Sequence, residues 1–310
     1  MKEDNNYIYN QNYYNVQRSF YNNWDNRYQT TVDKPKRNKL FIAFLVVAIL
    51  LSCFFLYKIL FGRSTDKYRT FMIYMVGSDL ESKSKQGTFS LSDIVGENID
   101  LRNNNVLLMV GGASKWHNNY INKDEIGMYK LTKSGFEKIK SLPVESMGSS
   151  GVLEKFLDFA YAEYPAEKYD MIFWNHGLGA IGIEQDELSK DFLTINELNN
   201  AFRNSPFNSE KLELTIFYNC LASNLHIANI MKSYSQYMVA SEEIFYLAKS
   251  LNRLSFLEKV KTSDSAYDIG YHFIEQSDKV VNAYNSSHAK KIDSTLSIID
   301  LQEIDKLNTK

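Results

Sequence analysis

Residues 212–222, LELTIFYNCLA, constrain this chain more than any other stretch. Leu212, Leu214, Thr215, Ile216, Phe217 and Tyr218 form a nearly continuous strand-forming run bounded by polar residues. Such a run is buried on both faces, which requires a parallel sheet with helices on either side. The strand ends at Asn219 and Cys220. In open α/β sheets, ligands and chemistry gather at the carboxyl ends of strands. Cys220 therefore stands where a nucleophile is useful, although burial as an inert thiol is the commoner fate of a free cysteine.

The remainder of the chain from Asp66 onward agrees with that architecture. Apolar runs fall at 71–76 (FMIYMV), 106–110 (VLLMV), 171–174 (MIFW), 214–217 (LTIF) and 237–240 (YMVA). Between them, residues 152–164 place Val152, Leu153, Phe156, Leu157, Phe159 and Ala160 on one helical face. Residues 195–202 follow Thr194, with Glu197 three residues on, which is a capping-box signature. Residues 221–231 read as a third helix opening directly after Cys220. Strands alternating with helices predict a mainly parallel sheet covered on both faces. There is no internal repeat, and Gly177-Leu178-Gly179 lacks the spacing of a nucleotide-binding loop.

Upstream of this domain the composition changes. The first thirty residues carry eight asparagines and six tyrosines and show no period, which predicts a disordered tail over 1–39. Residues 40–57 then run for eighteen positions without a charge, and Lys58 followed by Ile59 to Phe61 extends them. Twenty-two residues at about 1.5 Å each give roughly 33 Å, so 40–61 is expected to be a single transmembrane helix. Lys34, Lys36, Arg37 and Lys39 precede it and Lys58, Arg63, Lys67 and Arg69 follow it. That balance slightly favours a cytoplasmic N-terminus. A net charge of −2 excludes a general nucleic-acid role. Two cysteines, Cys53 and Cys220, provide no disulfide framework. No cluster of histidines or carboxylates has metal-ligand spacing, so neither a metal nor another cofactor is expected.

The chemistry begins at 171–177, MIFWNHG. A second buried strand delivers His176 to its carboxyl end, followed by Gly177. Imidazole titrates near neutrality and serves as general acid and base. Glycine allows a close backbone approach and offers an N–H to a developing oxyanion. Adjacent parallel strands end side by side, so His176 and Cys220 would project over one sheet edge as a Cys/His dyad.

Five segments, in order, resemble the clostripain-like cysteine peptidases of the caspase-like clan: Tyr74 to Ser82 (YMVGSDLES); Val110-Gly111-Gly112 with Trp116; Tyr164 to Gly177 (YPAEKYDMIFWNHG); Phe217 to Cys220 with Tyr237 to Glu243; and Ser294 to Leu301 (STLSIIDL). The resemblance runs from Tyr68 to the C-terminus. It implies a caspase-like α/β/α sandwich over 66–310 that hydrolyses peptide bonds. His176 would be the general acid and base and Cys220 the nucleophile, forming a thioacyl intermediate. The backbone N–H groups of Gly177 and Cys220 would form the oxyanion hole. A third carboxylate is not required by this clan, and a helix opening at Cys220 would favour its thiolate.

Departures from the family pattern concern specificity. The family's acidic pocket residue, two positions before the nucleophile, is Tyr218 here. Asn175 replaces the aspartate before the histidine, Ala222 a methionine and His226 a glutamate. A buried basic P1 side chain would lack its nearest counter-charge at Tyr218. Tyr218, Asn219, Ser241, Glu242 and Glu243 are the substrate-pocket candidates, with Glu242 or Glu243 able to replace the missing carboxylate. Relatives commonly continue beyond the STLSIIDL segment, so the domain is expected to be a minimal version or a fragment. Some relatives use calcium or self-cleavage, and Lys190 in the 183–191 loop is a candidate processing site. The expected partners are a protein or peptide substrate and a membrane, and the chain is expected to be a monomer. Its expected location is a bacterial cell membrane with the peptidase domain outside. The competing reading is an inert caspase-like binding or scaffold module at the cell surface.

Overall fold

The chain divides into two units, Met1–Gly62 and Arg63–Lys310. The computed structural model describes residues 15, 39–61, 65–95, 98–247, 251 and 253–308. The expected tail over 1–39 lies outside them apart from residues 15 and 39. In the first unit, α1 (Lys39–Phe61) is a helix of 23 residues. Its side chains are described over 42–53, where they are apolar except Ser52, and nearly all are exposed. Among the described residues, no helix is long and apolar enough to cross a membrane. The expected helix is thus present, and its transmembrane character is not shown.

All five apolar runs of the second unit are strands. They are β1 (Arg69–Val76), β2 (Asn104–Gly111), β5 (Lys168–Trp174), β8 (Leu212–Tyr218) and β9 (Ser235–Ser241). The antiparallel strands β3 (Ile126–Thr132), β4 (Gly135–Leu142) and β10 (Leu296–Asp300) extend the sheet at its two ends. The order across the eight strands is β10-β9-β8-β5-β1-β2-β3-β4, and β9 to β2 are mutually parallel. Successive side chains of one strand point to opposite faces. Met72, Tyr74 and Val76 of β1 accordingly enter one core, and Phe71, Ile73 and Met75 enter the other.

Helices α4 (Ser150–Glu163), α5 (Ile195–Asn204) and α6 (Leu225–Met231) cover the first face. Helices α2 (Ser78–Ser82) and α3 (Gln86–Ser92) follow β1. The other face receives Ala266, Ile269 and Phe273 of α7 (Ala266–Ser287). A short helix, α8 (Ile304–Asn308), ends the described chain. Thr194 caps α5 through the reciprocal bonds with Glu197 that the sequence predicts. A two-stranded hairpin, β6 (Gly182–Asp186) and β7 (Asp191–Thr194), lies between β5 and α5.

One expectation fails here. The helix after Cys220 does not open at Cys220 but four residues later, capped by the Asn224 side chain on the Ile227 N–H. Leu221 adopts φ +58°, which no helix continues. The first turn of the helix therefore does not stand at the cysteine.

Strand order locates the functional edge. The chain runs from β1 to β2 on one side and later returns to β5 on the other, so the topology switches direction between β1 and β5. The carboxyl ends at such a switch open a crevice. At the opposite edge, a buried ion pair, Arg69–Asp170 at 2.7 Å, ties β1 to β5.

Candidate active site

Three strand ends meet at the switch point. β1 exits into Gly77-Ser78-Asp79, β5 into Asn175-His176-Gly177, and β8 into Asn219-Cys220. The exit of β1 is rigid. Ser78 takes φ +51°. The buried Glu81 carboxylate accepts bonds from the Thr88 N–H and hydroxyl and from the His117 N–H. This turn aims Asp79 at the neighbouring strand end, where its Oδ1 lies 2.7 Å from His176 Nε2. Partial burial pushes the Asp79 carboxyl up. The hydrogen bonds and charges of His176 and Lys83 outweigh that and hold it below the usual range. Asp79 is thus a carboxylate at neutral pH, and with Nε2 turned to it the imidazole keeps Nδ1 for other partners.

His176 itself is fixed from below. Asn175 is buried; its Nδ2 donates to the Val76 carbonyl, and its Oδ1 accepts from the His176 and Gln185 N–H groups. The carboxamide supplies a donor and an acceptor at once, which an ionised aspartate cannot do. The His176 carbonyl accepts from the Glu184 N–H at 3.0 Å. The His176 side chain remains about one-third exposed.

Gly177 brings the His176 loop against the nucleophile. A Cβ on Gly177 would lie 1.8 Å from the Cys220 carbonyl oxygen and 3.0 Å from its nitrogen, so only glycine admits this approach. Cys220 is partly buried. Its Sγ accepts from the Phe245 N–H at 3.3 Å, and the thiol faces the Phe245 carbonyl at 3.8 Å. The Leu221 N–H bonds to the Glu243 carbonyl, so residues 243–245 run alongside the cysteine.

The remaining sequence candidates fall into two groups. Tyr218 is buried; it stacks on Trp174, meets Phe245 edge-on and Phe273 at a tilt. The buried guanidinium of Arg253 lies 4.2 Å from the Phe245 ring and 5.9 Å from the Tyr218 ring. Asn219 is buried and its Nδ2 reaches Glu184 Oε1 at 3.4 Å. Ser241 is buried and ties β9 to Thr295 and Glu243. Glu242 and Glu243 are exposed, as is His226. A cavity of about 240 Å³ opens beside Asp79, lined among others by Lys83, Asp186, Lys190 and Phe192. Among the described residues, no group of three or more His, Cys, Asp or Glu side chains is placed to hold a metal ion.

Asp79, Glu184 and Phe245 are the residues that sequence reasoning missed. Asp79 was visible in principle: it stands three residues beyond an apolar run, at a strand end of the same sheet edge. The resemblance required no third carboxylate beside the histidine, and the contact of Asp79 with His176 supplies one. Phe245 carried no signal, because its role is a main-chain contact.

Comparison with known proteins bears on the same region. The family model of Peptidase_C11, the clostripain family, matches residues 73–310. Among solved structures, the chain resembles a secreted C11 cysteine protease from Bacteroides thetaiotaomicron in complex with an irreversible peptide inhibitor. The TM-score is 0.61 at 18% identity, over 78% of this chain and 69% of that one. An inactive zymogen C11 protease from Parabacteroides distasonis gives a TM-score of 0.53 at 20% identity, over 80% of this chain and 66% of that one. No curated protein matches the chain.

Proposed function

The chain belongs to the clostripain family of cysteine-type peptidases, and from that premise we propose that it is an endopeptidase in which Cys220 is the nucleophile and His176 the general acid and base. Cys220 Sγ attacks the scissile carbonyl carbon while the thiol proton passes to His176. The C–N bond then breaks, His176 returns the proton to the leaving amine, and a thioester remains on Cys220. Water, deprotonated by His176, attacks the thioester, and the C–S bond breaks to release the acid and the thiol. The N–H groups of Gly177 and Cys220 are the oxyanion donors. Asp79 accepts from Nε2–H and orients the ring. The observation that carries this reading is the contact of Gly177 with the Cys220 backbone, beside a histidine already paired with a carboxylate.

The side of the site toward Tyr218 disfavours a basic P1 residue. Tyr218 supplies no carboxylate, and the Arg253 guanidinium behind Phe245 adds a like charge. The exposed Glu242 and Glu243 are the remaining acidic candidates at the rim, with Ser241 and Asn219 supporting the walls. A peptide-library cleavage profile is expected to spread over P1 residues other than Arg and Lys. A profile restricted to those two would refute this preference and implicate Glu242 or Glu243.

The helix Lys39–Phe61, with eighteen uncharged positions in its sequence, supports anchoring by a single span, N-terminus inside and peptidase outside. Protease shaving of intact cells should release the C-terminal domain; full protection would refute this orientation. The inert-scaffold reading draws on the filling of the Tyr218 side by rings and Arg253. It would be favoured by absence of turnover on every library peptide.

A further inference from the structure

Glu184 carries two costs in one residue. It sits where the register of β6 against β7 slips between Ile183 and Gln185, and it takes φ +59°. That left-handed conformation is strained for any residue but glycine. Its carboxyl group is also completely buried, a placement that is expensive for an ionisable group unless it is neutralised or fully bonded. Neither cost stabilises the hairpin. Both put the residue between the two strand ends that carry His176 and Cys220.

We propose that Glu184 is a positioning residue that joins the two catalytic loops, its carboxyl group pairing by two hydrogen bonds with the Asn219 carboxamide while its main-chain N–H holds the His176 carbonyl. The inference rests on the peptidase reading above for what the positioning serves, and on geometry for the pair itself. One bond is present: Asn219 Nδ2 donates to Glu184 Oε1 at 3.4 Å. On the same two side chains, Glu184 Oε2 and Asn219 Oδ1 are both buried without a hydrogen-bond partner. Two acceptors left over on an already bonded acid and amide are both satisfied by one proton on Oε2, donated to Oδ1. The result is a cyclic acid–amide pair in which every polar atom is used.

The surroundings favour the proton. Burial pushes the Glu184 carboxyl well above its ordinary range, against the opposing hydrogen bonds of Asn219 and the Val76 backbone. The other ionisable groups within reach do not supply a positive counter-charge. Tyr74 of β1 stays neutral, its own hydroxyl donating to the Met147 carbonyl, and Asp186 farther along β6 is acidic. On the remaining sides stand Asn175, committed to Val76, His176 and Gln185, and His176, whose Nε2 is committed to Asp79. Asn219 immediately precedes Cys220, so the pair sets where the turn out of β8 delivers the thiol. The main-chain bond sets the height of the His176 loop against it.

Infrared difference spectra and kinetics of the full chain test this with Glu184→Gln, Glu184→Ala and Glu184→Gly. The wild type minus Glu184→Gln difference should show a protonated carboxyl band at neutral pH, whether or not the protein turns over peptides. Glutamine reproduces both bonds of the ring, so Glu184→Gln should keep kcat within about threefold and lose any alkaline fall that belongs to Glu184. Glu184→Ala should lower kcat tenfold or more with KM within twofold. Glu184→Gly, which is free of the left-handed strain that the alanine variant keeps, should show the same loss. Absence of the carboxyl band, a Glu184→Gln variant as slow as Glu184→Ala, or an alanine variant with wild-type kcat would each overturn the proposal. A wild type that shows the band but cleaves no peptide would refute the peptidase reading and, with it, a positioning role in that reaction, while the acid–amide pair itself would stand.

Discussion

Replacing Gly177 by alanine is the perturbation that most directly loads the contact between the two catalytic loops. The new Cβ would meet the Cys220 carbonyl oxygen at 1.8 Å, its carbonyl carbon at 2.8 Å and its nitrogen at 3.0 Å. All three are main-chain atoms, so no rotamer change relieves the overlap. Reaching even 3.0 Å from the oxygen requires the loops to part by 1.2 Å, the difference of 3.0 and 1.8. Strain of this kind typically costs about 1–3 kcal/mol of stability. A displacement of about 1 Å between reacting groups costs on the order of a hundredfold in rate. Gly177→Ala should therefore remain folded at room temperature, melt earlier, and lose about a hundredfold in kcat on a fluorogenic peptide mixture. Gly151→Ala provides the control, since a Cβ there meets nothing within 4 Å and the site is helical. It should retain activity and gain up to about 1 kcal/mol of stability. A Gly177→Ala protein with kcat within threefold of wild type would show that the two loops do not need this approach, and the reasoning from it would fall.

Two further outcomes follow from other parts of the molecule. Asp79→Asn exchanges a charge-assisted bond to His176 for a neutral one; the difference between the two is about 1–1.5 kcal/mol, so kcat should fall roughly tenfold with KM little changed, and a variant at wild-type kcat would remove Asp79 from the site. Burial pushes the Asp170 carboxyl up to about 6 despite Arg69, so the folded state holds this proton more tightly than the unfolded chain. The stability this group contributes is full below about pH 4 and is lost as pH rises through about 6, by at most roughly 3 kcal/mol. In urea melts Asp170→Asn should flatten that slope, and an unchanged slope would contradict the assignment.

Much of the sheet was legible because its strands are buried on both faces. The FMIYMV, VLLMV, MIFW, LTIF and YMVA runs became β1, β2, β5, β8 and β9, since short apolar runs bounded by polar residues suit strands covered on both faces. The capping box at Thr194 and Glu197 was legible because its signal is local. The strands beyond β2 were not: β4, at the sheet edge, mixes lysine and glutamate with apolar residues, and β3, mostly buried between β2 and β4, has its apolar run broken by Gly127 and Lys130. α7 was missed as well, although Ser265 and Asp268 form a capping box before it, because its interior is polar on most of its surface. His176, Gly177 and Cys220 were found by strand-end logic, and the same logic applied to β1 would have found Asp79. The start of α6 was misjudged because Leu221 looks helical in sequence, while its φ of +58° depends on the main-chain bond from its N–H to Glu243, far along the chain. Glu184 could not be read at all, since one glutamate among the several carboxylates of the 183–191 stretch carries no sign of being buried.

The central claim is that Cys220 is a nucleophile served by His176, and active-site labelling addresses it most directly. The full chain would be treated under reducing conditions with an irreversible peptide electrophile, and the adduct located by mass spectrometry. Wild type should take one label, on Cys220; Cys220→Ala should take none. His176→Ala should be labelled at least tenfold more slowly by the peptide reagent while reacting normally with iodoacetamide. An unlabelled wild type, or a labelling rate that His176→Ala leaves unchanged, would contradict the account.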